Sequence, residues 1–198
     1  EIRDSIRDKY DLEDKIVIGH IGRFVYQKNH EFLIELLKAL IKKGYDAALL
    51  LVGDGELVAT IKHRVEEERL EDRIVFYGTT DYVNEVVQAM DCFVFPSRFE
   101  GLGIVALEAQ ASGLSCVASD QVPRKMKVLE GTSFLSLDDT IDSWINAIIE
   151  SVCPPDKRIQ TANEVKYQFE KVGYDIEKNC MDMLSYYHKI LANKGLEK

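Results

Sequence analysis

The sequence predicts an α/β protein: a doubly wound parallel sheet of about six strands, helices on both faces, and extra helices at the C-terminus. Three observations carry that prediction. Short apolar runs with β-branched content recur along the first two thirds of the chain and are nearly continuous, as in strands buried on both faces. Amphipathic helical stretches separate them. After Thr140 the strand-like runs stop and only helical patterns continue.

Taken in order, "EIRDSIRDKYDLEDK" places Ile2, Ile6, Tyr10 and Leu12 among charges and reads as a short amphipathic helix or linker, residues 1–14. The strand-like runs are "IVIGHI", "AALLLVG", "RIVFYG", "DCFVFPS", "SCVAS" and "TSFLSL", bounded by Gly, Pro, Asp or Ser. "NHEFLIELLKALIKKG" is a helix with Asn29 as N-cap, Glu31 in its first turn and Gly44 closing it. "ELVATIKHRVEEERL", "DYVNEVVQAM" and "EGLGIVALEAQASGL" are the next helices, and "DSWINAIIESV" follows the last strand. Pro154 and Pro155 break the chain before "DKRIQTANEVKYQFEKVG", and Ile176, Cys180, Met183, Tyr187 and Leu191 then recur at helical spacing, an expected core stripe. The expected organisation is one unit over residues 15–153 with helices 154–198 packing on it.

Composition narrows the function. The chain has 198 residues, 46% hydrophobic and 30% charged, enough for one sizeable core. A net charge of −9 argues against nucleic acid as a partner. Cys92, Cys116, Cys153 and Cys180 show no CxxC spacing and are expected as buried structural thiols in a reducing compartment. No apolar run approaches the ~18 residues of a membrane span. The chain begins at Glu1 and its first methionine is Met90, as expected of a piece excised from a longer protein.

Ligands of open parallel sheets bind at the carboxyl ends of the strands, and three such ends stand out. In "GHIGRFVYQKN", Gly22, Arg23 and Lys28 precede a helix start, which suits a diphosphate and equally fits a solvated loop with ordinary charges. "LLVGDGEL" is a lone GxG, weak as a phosphate loop, in which Asp54 fits turn chemistry as well as ligand contact. In "SRFEGLGIVALEAQASGL", the loop Glu100-Gly101-Leu102-Gly103 opens a helix on which Ile104, Leu107, Glu108 and Ala111 share one face. Glu108 is therefore expected to face inward. From Leu102 to Glu108 the helix rises roughly 9 Å, the span of an elongated polar ligand. The same residues also fit a helix with one surface glutamate and a loop glutamate.

Together, "GRFVYQKN", "LLVGDGEL", "FYGTTDYVNEVVQAMDCFVFPSRFEGLGIVALEAQASGL" and "SDQVP", in this order, resemble the C-terminal, Rossmann-like donor-binding domain of family 4 (group 1) retaining glycosyltransferases of the GT-B fold. The likeness is greatest to bacterial enzymes of capsular or exopolysaccharide synthesis and runs from Lys15 to the last helix. The resemblance implies that Arg23 and Lys28 hold the donor diphosphate as a leaving group. It implies that Glu100 lies near hydroxyls of the donor sugar and Glu108 at the ribose. The N–H groups of Gly101, Leu102, Gly103 and Ile104, with Gly22, would lie against phosphate and sugar, and Thr79 to Val83 would brush the base. Ser115 stands where the family usually has Pro, for which only a stability effect is expected.

The same resemblance implies sugar transfer with retention, through an oxocarbenium-like state, from a nucleotide-diphosphate sugar as donor substrate, with no cofactor. No Asp-x-Asp occurs in the chain, in keeping with a metal-independent site. The acceptor, a glycan or lipid-linked molecule, would be supplied by an N-terminal domain absent from this chain, so the chain alone is expected to be inactive. A cytoplasmic location is expected, with membrane association only through the full-length protein. Two alternatives stay open on residues alone: a GT-B relative such as a sugar-nucleotide epimerase or phosphorylase, and a non-catalytic α/β nucleotide-binding module.

Overall fold

The computed structural model describes residues 1–152 and 162–193. In chain order the elements are α1 (Ile2–Lys9), β1 (Ile16–Ile21), α2 (His30–Lys42), β2 (Ala47–Val52), α3 (Val58–Glu67), β3 (Ile74–Gly78), α4 (Val83–Val86), β4 (Cys92–Phe95), α5 (Ile104–Ala111), β5 (Cys116–Ser119), β6 (Ser133–Leu135), α6 (Ile141–Ser151), α7 (Ala162–Lys171) and α8 (Ile176–Asn193). All six predicted strands form one sheet of order β3-β2-β1-β4-β5-β6, and every neighbouring pair is parallel. The order reverses between β1 and β4, which opens a crevice at their carboxyl ends.

The strands are buried on both faces because successive side chains alternate between two cores. Val17, Ala48, Leu50, Val52, Phe93, Phe95, Cys116 and Ala118 point to one face, with Ala106 and Leu107 of α5. Ile18, Leu49, Leu51, Cys92, Val94 and Val117 point to the other, against Leu33, Ile34, Leu36, Leu37 and Leu40 of α2 and Trp144, Ile145 and Ile148 of α6. Trp144 is fully buried, packs edge-on against Phe32 and donates its indole N–H to the Ser136 carbonyl at 2.9 Å. Burial holds the thiols of Cys92 and Cys116 protonated, pushing both well above the ordinary thiol value.

Helix α1 is pinned to the amino end of the sheet. Arg3 and Arg7 each reach an Asp91 carboxylate oxygen at 2.5 Å, and the Val17 N–H donates to the same carboxylate at 2.7 Å. The guanidinium groups also donate to carbonyls of Gln88, Met90, Ala89, Leu12, Glu13 and Lys15.

The C-terminal segment departs from expectation. Helix α7 packs through buried Val165 and half-buried Phe169 on the core near α5. The expected core stripe of α8 is instead exposed: Ile176 at 74%, Met183, Tyr187 and Leu191, with Cys180 also exposed. Spacing establishes that these residues share a face; it carries no information on whether anything covers that face. Cys153, Pro154 and Pro155 lie outside the described residues.

Candidate functional site

The carboxyl ends of β1, β2 and β3 are stitched together by their own backbones. Gly22 N–H donates to the Val52 carbonyl at 2.9 Å, Gly53 N–H to Gly78 at 2.8 Å, and Phe24 N–H to Asp54 at 2.9 Å. The approach is close enough to require glycine at position 53. Its φ is +134°, and a Cβ there would fall 2.1 Å from the Gly22 carbonyl oxygen. The Asp54 carboxylate accepts from its neighbour Gly55 N–H at 2.8 Å, which is turn chemistry. Above these ends lies a cavity of about 510 Å³ lined by Gly22, Arg23, Gly53, Asp54, Thr79 and Val83, among others. Four of the predicted site residues, distant in sequence, thus share one concavity. Arg23 is exposed there, and no ion pair or hydrogen bond among the described residues holds its side chain.

Lys28 ends a single 3-10 turn, Tyr26–Lys28, and Asn29 caps α2 with φ +58°. The N-cap position agrees with the sequence, but the Asn29 side chain does not cap. Its left-handed backbone turns the amide toward the β4–α5 loop, where it donates to the Pro96 carbonyl at 3.2 Å and accepts from Arg98 at 3.0 Å. The same loop is held by Arg98 N–H on the Gln27 carbonyl and by the Gln27 amide on the Phe99 carbonyl, each 2.8 Å. The Arg98 guanidinium lies over the Tyr26 ring at 4.4 Å. Between the two loops the Lys28 ammonium meets the Glu100 carboxylate at 2.5 Å, with side chains 14% and 8% exposed.

Glu100-Gly101-Leu102 leads into α5, whose N-cap is Gly103 with φ +78°. A Cβ at 103 would meet the Phe95 ring at 2.9 Å, so the loop lies directly on β4. The first N–H groups of α5, beginning at Ile104, precede the carbonyls that could bond them within the helix, so an anion is favoured at this end. The inward orientation expected of Glu108 is overturned: Glu108 is exposed, as are Ile104 at 64% and Ala111. The buried face is Ala106, Leu107, Ala109 and Gln110. Gln110 fixes that rotation. Its amide donates to the carbonyls of Ala106 and Met126 and accepts from Val128 N–H, Leu129 N–H and the Thr132 hydroxyl. A neutral amide with every polar atom paired is stable in the core, whereas a carboxylate there is costly.

Two histidines beneath the loops were not singled out by sequence. His20 is fully buried in β1 with Nδ1 2.9 Å from the Val94 carbonyl, and His30 stacks on Phe24 with ring centroids 3.9 Å apart. His20 Nε2 and both nitrogens of His30 lack a protein partner, as do Ser97 Oγ and Arg98 Nε. Burial, then the neighbouring His30 and the Lys28 charge, hold the His20 imidazole well below its ordinary value. Burial and then Lys28 lower His30 to about 4. Both rings are neutral at pH 7.

A reversing parallel sheet with a glycine-lined crevice, two cations and a helix N-terminus at its carboxyl edge belongs to the nucleotide-binding α/β folds. Residues 2–165 match the family model for glycosyl transferases group 1, and the chain belongs to that family. It is 35% identical over 176 residues to EpsF of Bacillus subtilis (strain 168), covering 88% of this chain and 45% of that protein. It is 30% identical over 199 residues to the UDP-Gal:α-D-GlcNAc-diphosphoundecaprenol α-1,3-galactosyltransferase of Escherichia coli, covering 94% and 51%. The chain spans about half the length of these relatives. Among solved structures it resembles a variant of S. aureus TarM crystallised with fondaparinux, α-GlcNAc-glycerol and UDP, with TM-score 0.72 and 21% identity over 87% of this chain and 35% of that one. Anabaena HepE with UDP and glucose gives TM-score 0.71 and 18% identity over 93% and 52%. The half-GT-B fold expected from sequence is therefore the observed one, and the family match does not favour the epimerase, phosphorylase or non-catalytic alternatives. Among the described residues no helix is long and apolar enough to cross a membrane.

Proposed function

We propose that this chain is the donor-binding domain of a retaining, metal-independent hexosyltransferase that acts on a glycan or lipid-linked acceptor in bacterial polysaccharide synthesis. The observation carrying the proposal is the convergence of Gly22, Arg23, Thr79 and Val83 on one cavity beside Lys28, Glu100 and the start of α5. Solved relatives of the same fold carry UDP, and UDP with glucose, in their crystals.

In this reading the nucleotide lies along the carboxyl edge, its base near Thr79 to Val83 and its diphosphate between Arg23, Lys28 and the α5 N-terminus. Glu108, in solvent on the open face of α5, reaches the ribose hydroxyls without paying for burial. Glu100 receives the hydroxyls of the donor sugar. Negative charge develops on the diphosphate as the glycosidic bond breaks. The two cations and the helix N–H groups lie where that charge develops and stabilise it electrostatically. Removing one such group costs ~10²–10³ in turnover. The acceptor is supplied by a further domain, in line with the chain's share of its relatives' length.

Calorimetric titration of this chain with a panel of nucleoside diphosphates tests the reading. Binding of one of them, weakened by Arg23→Ala and by Glu108→Ala, is the expected result. Unchanged affinity in both variants removes the site assignment, and robust sugar transfer by this chain alone removes the need for a second domain.

A further inference from the structure

The two residues assigned here to different parts of the donor hold each other. Lys28 and Glu100 come from separate loops, 72 residues apart, and meet at 2.5 Å with both side chains largely buried. The Lys28 ammonium also lies 4.8 Å from the centroid of the Phe95 ring, and its stem runs against Gly22, where a Cβ would be 3.1 Å from it. The loops that present the pair are tied by four further bonds, Arg98 to Gln27, Gln27 to Phe99, Asn29 to Pro96 and Arg98 to Asn29. The pair is thus built into a rigid frame. Of the two cations beside the cavity, Arg23 stands exposed and Lys28 is already neutralised.

We propose that the Lys28–Glu100 pair is an exchangeable latch, a reading that rests on the donor-site assignment above. The diphosphate takes Lys28 from Glu100, and the sugar hydroxyls take Glu100 from Lys28. A complete donor satisfies both partners of the broken pair. A nucleoside diphosphate without its sugar satisfies Lys28 and leaves a largely buried carboxylate with no hydrogen-bond donor, an unfavourable state. The latch therefore discriminates the sugar-bearing donor from the spent nucleotide and favours release of the latter after transfer. Its closure also keeps both charges compensated when the crevice is empty.

The sign of the effect is what separates this proposal from a merely attractive role for Glu100. Calorimetric titrations with UDP, GDP, ADP and dTDP are run on the 198-residue chain, on Glu100→Gln, on Lys28→Met and on the double variant. Glu100→Gln is expected to bind the preferred diphosphate roughly fivefold more tightly than the unsubstituted chain, because Lys28 no longer has to be taken from a carboxylate. Lys28→Met is expected to weaken binding by roughly tenfold. In the Lys28→Met background the gain from Glu100→Gln is expected to vanish, since there is no latch to open. Glu100→Ala repeats the measurement without an amide oxygen able to hold Lys28, and thermal unfolding of each variant verifies folding.

Affinity unchanged or weakened in both Glu100 variants, while Lys28→Met still weakens it, overturns the latch and leaves the donor site standing. A gain that survives in the Lys28→Met background also overturns it, since plain repulsion between Glu100 and phosphate then accounts for the effect. Absence of binding to all four diphosphates in both the unsubstituted chain and Glu100→Gln overturns the donor-site reading itself.

Discussion

The two ends of the sheet each hold buried charge, and they hold it differently. At the amino end, Asp91 receives Arg3, Arg7 and the Val17 N–H, and the arginines also donate to six backbone carbonyls. At the carboxyl end, Lys28 and Glu100 hold one another beside a cavity, above two imidazoles and a serine with unpaired atoms. A carboxylate held by three donors has little spare capacity and serves to fix α1 on the sheet. An unsaturated one stores the capacity to take a new partner. Stability is concentrated at one edge and exchangeability at the other, on the same strands.

This contrast can be broken in several ways. The largest effect is expected at the amino end, where Asp91→Ala leaves two arginines without their carboxylate and should cost roughly 3–5 kcal/mol in urea unfolding. Glu100→Ala, the matching deletion at the other end, should cost less than Asp91→Ala, because it strands one cation rather than two and Lys28 keeps its contact with the Phe95 ring. Equal losses would dissolve the distinction. Gly53→Ala should cost roughly 3 kcal/mol, since its Cβ meets the Gly22 carbonyl at a positive φ; Gly44→Ala, also at positive φ but with nothing within 4 Å, separates backbone strain from collision.

The pH response is expected next. The unfolded chain protonates histidines near pH 6.5, whereas folded His30 does so only at about 4 and folded His20 lower than its ordinary value. Below about pH 6.5 the unfolded state therefore binds more protons, and stability present above that pH is lost toward pH 4, by about 1 kcal/mol per pH unit for each ring. His30→Phe should flatten part of this slope, and an unaltered slope would place the titration elsewhere. The smallest effect is expected on α8, where Ile176→Ser and Met183→Ser should change the unfolding free energy of this chain by no more than about 0.5 kcal/mol, because both side chains face solvent.

Much of the candidate site's placement was legible in advance because its residues are grouped locally. Gly22, Arg23 and Lys28 lie within one loop, Glu100 to Ile104 within another, and both follow strand-like runs whose carboxyl ends must face the same edge of a parallel sheet. Glu108 was misplaced because α5 is apolar or small on nearly every side, so periodicity could not choose its buried face; the Gln110 network chose it. Gln110, Arg98, Gln27 and His20 gave no local signal, since each acts through a partner 16 to 74 residues away.

The sequence by itself determined the six strands, their parallel arrangement and the edge that carries the candidate site, because strand length, burial on both faces and alternation with helices are written in neighbouring residues. Only the tertiary structure decided how α5 is rotated, that the α8 stripe is uncovered, and that Lys28 and Glu100 are paired. Those outcomes depend on which distant groups satisfy one another's charge and hydrogen bonds, and a linear pattern does not encode that choice.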